Sequence, residues 1–207
     1  MQSTLFYVHD PMCSWCWGYN PVWQQLKQQL PEGVAIEYIV GGLAPDTDEP
    51  MPAEQRQQIE GYWREIQDQL GSEFNFDFWQ ENTPRRATYE SCRAVIAADK
   101  QGEQETMIEA IQQAYYLRAK NPSDRSVLVE LATEIGLDTA TFLADLDEAD
   151  TEIRLLDDIA MARRWKVPGF PALVLLAGDQ LKHIEVDYKN PETSLQQIKQ
   201  CIKQATQ

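Results

Sequence analysis

The chain has 207 residues, 43% of them hydrophobic, enough to close one sizeable core. Asp and Glu outnumber Lys and Arg 33 to 18, for a formal net charge of -15, and that charge argues against nucleic acid or an anionic membrane surface as a partner. The N-terminus MQSTLFYVHD has neither the basic segment nor the long apolar run of a secretory leader, and ALVLLA, the longest apolar run elsewhere, is far below membrane-spanning length. The expectation is a cytoplasmic protein, where a close cysteine pair serves catalysis or metal binding rather than static cross-linking.

STLFYVH reads as a strand that ends at Asp10-Pro11. From Cys13 to Leu30 the larger apolar residues recur at spacings of three and four, marking one face of a helix stopped by Pro31-Glu32-Gly33. VAIEYIV, residues 34–40, is a second strand, so the chain opens with a βαβ unit. A long helical stretch follows. Ile59, Tyr62, Trp63, Ile66 and Leu70 form a stripe closed by Gly71, and Thr83-Pro84 reads as a cap opening a helix to about Gln101. Three or four more helices fit before Trp165, while the Phe residues of FNFDF read as plugs for a helical core rather than as a strand. PALVLL and QLKHIEV form a hairpin around Ala177-Gly178-Asp179, and Leu195, Ile198, Ile202 and Ala205 mark a last helix. The order is βαβ, a helical block packed on the sheet as a lid, then ββα.

DPMCSWCWG places Cys13 and Cys16 at the start of the first helix. The unpaired N–H groups and positive dipole end there stabilise a thiolate on Cys13, while Cys16 lies one turn on, close enough to close a disulfide. Cys13 is therefore the attacking thiol and Cys16 the resolving one. A zinc site needs two further ligands, and the remaining soft candidates, Cys92, Cys201, His9 and His183, include no second close pair. No metal and no cofactor is expected. A second signal is KVPGFPAL, residues 166–173. Pro171 directly before a strand either holds a cis bond, leaving the Phe170 N–H and C=O facing outward for an extended peptide, or simply starts an edge strand.

These two stretches, the order of elements and the segment EAIQQAYYLRAKNPSDRSVLVELATEIGLD resemble the DsbA family of the thioredoxin superfamily, and within it the cytosolic FrnE-like disulfide isomerases. The resemblance implies an α/β, thioredoxin-like fold over residues 1–45 and 166–207, with an all-helical insertion over residues 46–165. It also implies a nucleophile at Cys13, a resolver at Cys16, a cis-proline at Pro171 and a substrate-binding backbone at Phe170. The dipeptide between the cysteines is Ser14-Trp15, without the imidazole of oxidising members, so reduction or isomerisation of protein disulfides fits better than net oxidation. The implied partners are disulfide-containing proteins or peptides, with glutathione or a thioredoxin-type reductant to regenerate the dithiol.

His9, four residues before Cys13, is either a polar strand end or a modulator of the thiolate. Trp15 and Trp17 form a rim that binds unfolded chains, or pack beneath the lid. Cys92 and Cys201 fall in step with apolar neighbours and read as small core residues. The alternative function is a glutathione-dependent transferase or isomerase of the kappa-class glutathione transferase or 2-hydroxychromene-2-carboxylate isomerase type. Those relatives usually carry a single serine or cysteine where this chain has a pair.

Overall fold

The apolar run LFYV lies in β1 (Ser3–His9), a strand buried on both faces, as expected for a central position. The computed structural model describes residues 3–205 and sets β1 between β2 (Val34–Val40) and β3 (Ala172–Ala177), with β4 (Gln180–Ile184) on the outer edge in the order β2-β1-β3-β4. β1 runs parallel to β2, where Tyr7 lies opposite Tyr38, and antiparallel to β3, where Tyr7 lies opposite Leu173. The hairpin between β3 and β4 turns at Gly178, in the left-handed region at φ 59°. β4 stops at Ile184 rather than running on to Val186. Glu185 N donates to the Gln197 side chain (2.9 Å), and the Glu185 carbonyl accepts from the Ser194 hydroxyl (2.6 Å). Those two bonds fix the start of the last helix.

Alternation along β1 sorts side chains between two layers. Leu5 and Tyr7 face α1 (Ser14–Gln29), where Tyr19, Val22, Trp23 and Leu26 are buried, together with Leu195 and Ile198 of α9 (Pro191–Ala205). Phe6 and Val8 face the other way, onto Ala162, Met161 and Trp165 at the end of α8 (Ala149–Arg164). Thus α8 covers one face of the sheet, although its sequence falls within residues 46–165.

The other helices of that stretch are α2 (Ala53–Leu70), α3 (Phe78–Glu81), α4 (Tyr89–Asp99), α5 (Gln104–Tyr116), α6 (Arg125–Glu134) and α7 (Thr139–Leu146). Their core centres on Trp63, fully buried on α2, whose ring lies 4.8–6.0 Å from those of Phe74, Phe76, Phe78, Trp79, Tyr115 and Tyr116. The FNFDF stretch thus plugs the core, and its last Phe begins a short helix. This aromatic cluster is continuous with the one beneath α1. α2 approaches α1 so closely at Gly18 that a Cβ there would lie 2.9 Å from Ile66. Arg93 on α4 joins three segments through Asp46 (2.7 Å), Glu90 (2.7 Å) and Glu152 (3.0 Å).

One helix begins later than the sequence indicates. α4 starts at Tyr89 rather than at Thr83-Pro84, because residues 82–88 are held outside a helix by tertiary bonds. Met51 N donates to the Pro84 carbonyl at 2.8 Å in an isolated bridge between Pro50 and Arg85. The Arg85 guanidinium reaches the Ser123 carbonyl and the Asp124 carboxylate at 2.6 and 2.7 Å. Together these outweigh one local capping signal.

Trp63→Ala should lower the unfolding free energy by about 3–5 kcal/mol, the usual cost of emptying a large buried aromatic site. Ile153→Ala, on the exposed side of α8, should change it by less than about 0.5 kcal/mol. Urea denaturation followed by tryptophan fluorescence and far-UV circular dichroism checks both.

Candidate active site

After β1 the chain turns through Asp10-Pro11-Met12, and the Asp10 side chain closes that turn by accepting from Met12 N at 2.8 Å. Cys13 N donates to the Asp10 carbonyl at 3.0 Å, and the Cys13 carbonyl accepts from Trp17 N at 3.1 Å, the first bond of α1. Cys13 is thus the N-cap residue, with extended backbone at φ -81° and ψ 116°. It is 7% exposed, whereas Cys16 is 0% exposed; both are free thiols. Burial, and then the Cys13 sulfur beside it, push the Cys16 thiol well above its ordinary value. Cys16 therefore rests protonated.

The second half of the site arrives from 157 residues away. α8 ends in a left-handed turn at Lys166 (φ 57°), with Lys166 N bonded to the Arg163 carbonyl (2.9 Å) and Val167 N to the Ala162 carbonyl (3.0 Å). A glycine usually fills that position; here a lysine does. The turn sends the chain through Pro168-Gly169 to Phe170, whose peptide bond to Pro171 is cis. Cys13 Sγ donates to the Phe170 carbonyl oxygen at 3.4 Å. The Phe170 ring turns the other way and rests on Gly41, where a Cβ would lie 2.0 Å from the ring. Gly41 N in turn donates to the His9 carbonyl. Glycine is the residue that lets Phe170 bring its carbonyl to the thiol.

Beside the dithiol, a groove of about 710 Å³ is lined by Trp15, the Pro168–Leu173 segment, the end of β4 and Tyr188. Trp15 and Tyr188 meet edge to face at 5.3 Å. Trp17 belongs elsewhere: its indole N–H donates to the Glu73 carbonyl at 3.0 Å and its ring stacks on Tyr116 at 5.6 Å. The two tryptophans flanking Cys16 thus divide the roles open to them, Trp15 at the groove and Trp17 under the helical block.

His9 is fully buried, stacked on Tyr7 at 5.3 Å, and neither ring nitrogen has a hydrogen-bond partner. It makes no hydrogen bond to either cysteine. Burial pushes it down to about 3, so the ring stays neutral at ordinary pH. Cys92 is buried on α4 and Cys201 half-buried on α9. Among the described residues, no group of three or more His, Cys, Asp or Glu side chains is arranged to hold a metal ion.

The residue that sequence reasoning missed is Asp10. It is 0% exposed, and besides Met12 N its carboxylate accepts from Leu43 N (2.8 Å), the Thr88 hydroxyl (2.7 Å) and the Cys92 thiol (3.6 Å). Burial pushes its pKa up, and the Leu43, Thr88 and Met12 donors pull it back. The signal was present in an Asp-Pro pair between a strand and a Cys-x-x-Cys, since such an Asp closes its own turn.

Two predictions follow from these environments. Gly41→Ala should displace the Phe170 ring and slow disulfide exchange by roughly tenfold while leaving most of the stability intact, read by exchange kinetics and urea denaturation together. The second concerns pH. His9 binds its proton near 6.5 when unfolded and near 3 when folded, so its contribution to stability is complete above pH 6.5 and is lost as pH falls towards 3. Asp158, raised from 3.8 to about 6 by burial, acts in reverse: its contribution is complete below pH 3.8 and is lost as pH rises through about 6. His9→Leu should therefore remove an acid-side loss on the order of a few kcal/mol, leaving a stability that increases from pH 7 to pH 4 relative to the parent in urea titrations.

A family model described as Thioredoxin matches residues 6–196. Among solved structures, a Nitrosomonas europaea protein described as a candidate protein disulfide isomerase is 28% identical, with a TM-score of 0.84 over 99% of this chain and 98% of the other. The cytosolic disulfide reductase DsbM from Pseudomonas aeruginosa has a TM-score of 0.80 at 23% identity, over 97% and 99% of the two chains. A curated relative, the ClpXP adapter protein SpxH of Halalkalibacterium halodurans, is 25% identical over 80% of this chain and 56% of its own length. The chain therefore spans little more than half the length of the curated relatives it matches. No helix among the described residues is long and apolar enough to cross a membrane. With a matching model over nearly its whole length and the sheet, helical block and cis-proline described above, the chain belongs to the thioredoxin family and has the fold of its DsbA-like oxidoreductases.

Proposed function

We propose that the protein exchanges disulfides of polypeptide substrates through Cys13 and Cys16, as a reductase or isomerase working in the reducing cytoplasm. The observation that carries this reading is the pairing of a thiol that keeps 7% exposure with a fully buried one at a helix start, the first 3.4 Å from the carbonyl that precedes Pro171. The Cys13 thiolate attacks one sulfur of a substrate disulfide, the S–S bond breaks, and the departing thiolate takes a proton from solvent. Cys16 then gives up its proton and attacks Cys13 Sγ, releasing the second substrate thiol. Two electrons have passed to the substrate, and the protein holds the Cys13–Cys16 disulfide. A low-molecular-weight thiol such as glutathione, or a thioredoxin-type dithiol, returns it to the reduced state. If a substrate thiol attacks the mixed disulfide before Cys16 does, the outcome is isomerisation with no net redox change.

Substrate backbone fits against Phe170, and the Trp15–Tyr188 groove takes an apolar side chain. Support comes from the isomerase description of the Nitrosomonas protein and from DsbM, a cytosolic reductase also known in a structure with GSH. The name of the curated relatives favours a second reading, an adapter that binds a partner without turnover. The cysteines separate the two readings, since an adapter has no need of a dithiol cycle.

Cys16→Ala should trap mixed disulfides with a disulfide-containing unfolded test protein, and Cys13→Ala should abolish them and lower exchange by at least ~100-fold, since the thiolate is the nucleophile. Non-reducing electrophoresis and peptide mass mapping after mild oxidation check this, with Cys13–Cys16 the expected bridge. Undiminished exchange in Cys13→Ala would overturn the assignment of the nucleophile, and a parent protein that exchanges no disulfide at all would leave the adapter reading standing.

A further inference from the structure

Pro168, Gly169 and Phe170 form a ridge with a cavity on each side. One is the groove described above. The other, about 270 Å³, lies towards β2 and is lined by Gly41, Gly42, Ile159, Arg163 and the same ridge. The two sides differ in charge. No Lys or Arg lines the groove, which carries Glu185, whereas Arg163 stands at the smaller cavity with Arg164 and Lys166 beside it in sequence, all three exposed. Within residues 27–154 the cations of the helical block are largely neutralised, as Arg93, Arg118, Arg125 and Lys100 are by Glu and Asp partners. Arg163, Arg164 and Lys166 make no ion pair among the described residues.

This pattern extends to the whole chain. Residues 160–207 hold seven Lys and Arg against four Asp and Glu, a net charge of +3, while residues 1–159 hold 11 against 29, a net charge of -18. Cations in a last helical turn also complement the helix dipole, but that pole amounts to about half a unit charge, well short of three. Asp158, five residues before Arg163 on the same helix, spends its carboxylate on Val40 N at 3.2 Å and does not line the cavity. A positive field therefore remains beside the ridge whose Phe170 carbonyl meets the Cys13 thiol.

We propose that Arg163 and Lys166, with Arg164 strengthening the field, anchor a carboxylate carried within two residues of the reacting cysteine, so that the site prefers acidic cystine peptides lying across the ridge with their acidic side towards α8. The proposal rests on the exchange reading and names its substrate class. The carboxylate belongs either to glutathione or to an acidic residue of a protein segment, and both present the same group to the same cations.

The test uses the reduced full chain and three kinds of disulfide: neutral bis(2-hydroxyethyl) disulfide, oxidised glutathione, and hexapeptide cystines with Asp or Asn two residues from the cysteine. Rates of dithiol oxidation are followed by stopped-flow tryptophan fluorescence for the parent and for Arg163→Gln/Lys166→Gln, a pair of exposed sites where Gln meets the same backbone demands as Lys. The Asp peptide should react about three- to tenfold faster than the Asn peptide at low salt, as expected for two solvent-exposed ion pairs, with the gap closing near 0.5 M salt. In the double variant the Asp-to-Asn ratio should fall to about one. If the ratio that falls is glutathione to neutral disulfide and the two peptides never differ, the anchored carboxylate is glutathione's. Equal Asp and Asn rates in the parent, together with an unchanged glutathione-to-neutral ratio in the variant, would overturn the anchor. A parent that does not react even with the neutral disulfide would remove the exchange reading and the anchor with it.

Discussion

A buried carboxylate holds the pieces of this site in register. Asp10 gathers Met12 N, Leu43 N, the Thr88 hydroxyl and the Cys92 thiol, and so joins the turn before Cys13, the loop after β2 and the start of α4. An isolated carboxylate out of water is costly, and only a set of donors like this one makes its burial tolerable. The sheet and the helical block are thus fastened at the point where the dithiol begins. Thr88 is shared in the same way, since its hydroxyl donates to Asp10 while Ala44 N donates to it at 3.2 Å. The Thr88 carbonyl begins α4 by accepting from Cys92 N.

Around that fixed turn the two sulfurs differ through burial. Cys16 lies among Tyr7, Tyr116 and Tyr188, whose own phenols are held above their ordinary range by burial and then, in part, by the thiol pair. In such surroundings a second negative charge is disfavoured, so Cys16 rests protonated. Cys13 sits at the last position before the helix's own hydrogen bonds begin and faces a carbonyl across the ridge. The difference in burial between the two thiols comes from a displacement of one helical turn.

Periodicity made the order of strands and helices along the chain, α1 and most of the helical block legible, because those elements bury one continuous face and local spacing records which one. The Cys-x-x-Cys was legible at the start of a helix, and the cis bond at Pro171 was one of the two readings its sequence left open. What escaped were features settled by distant partners. The start of α4 moved because Arg85 bonds to Ser123 and Asp124. Gly41 is fixed by a ring 129 positions later in the chain. The different roles of Trp15 and Trp17 depend on Tyr188 and on the Glu73 carbonyl. A pattern read along the chain carries no record of partners so far away.

α8 belongs to both halves of the molecule, which gives the site its mechanical unity. Its buried face completes the second core layer with Phe6, Val8 and Val174, Arg154 pairs with Asp99 of α4 at 2.6 Å, and Asp158 takes the last N–H of β2. Its C-terminal turn then releases the chain directly into Pro168-Gly169-Phe170. That turn places Lys166 at a positive φ that costs a non-glycine residue about 1 kcal/mol, and glycine would have met the backbone demand without strain. A lysine there adds to Arg163 and Arg164 a third charge beside the ridge that a glycine would not supply. The same helix end therefore sets the position of the carbonyl that meets Cys13 and places Arg163, Arg164 and Lys166 on the exposed turn that leads into it.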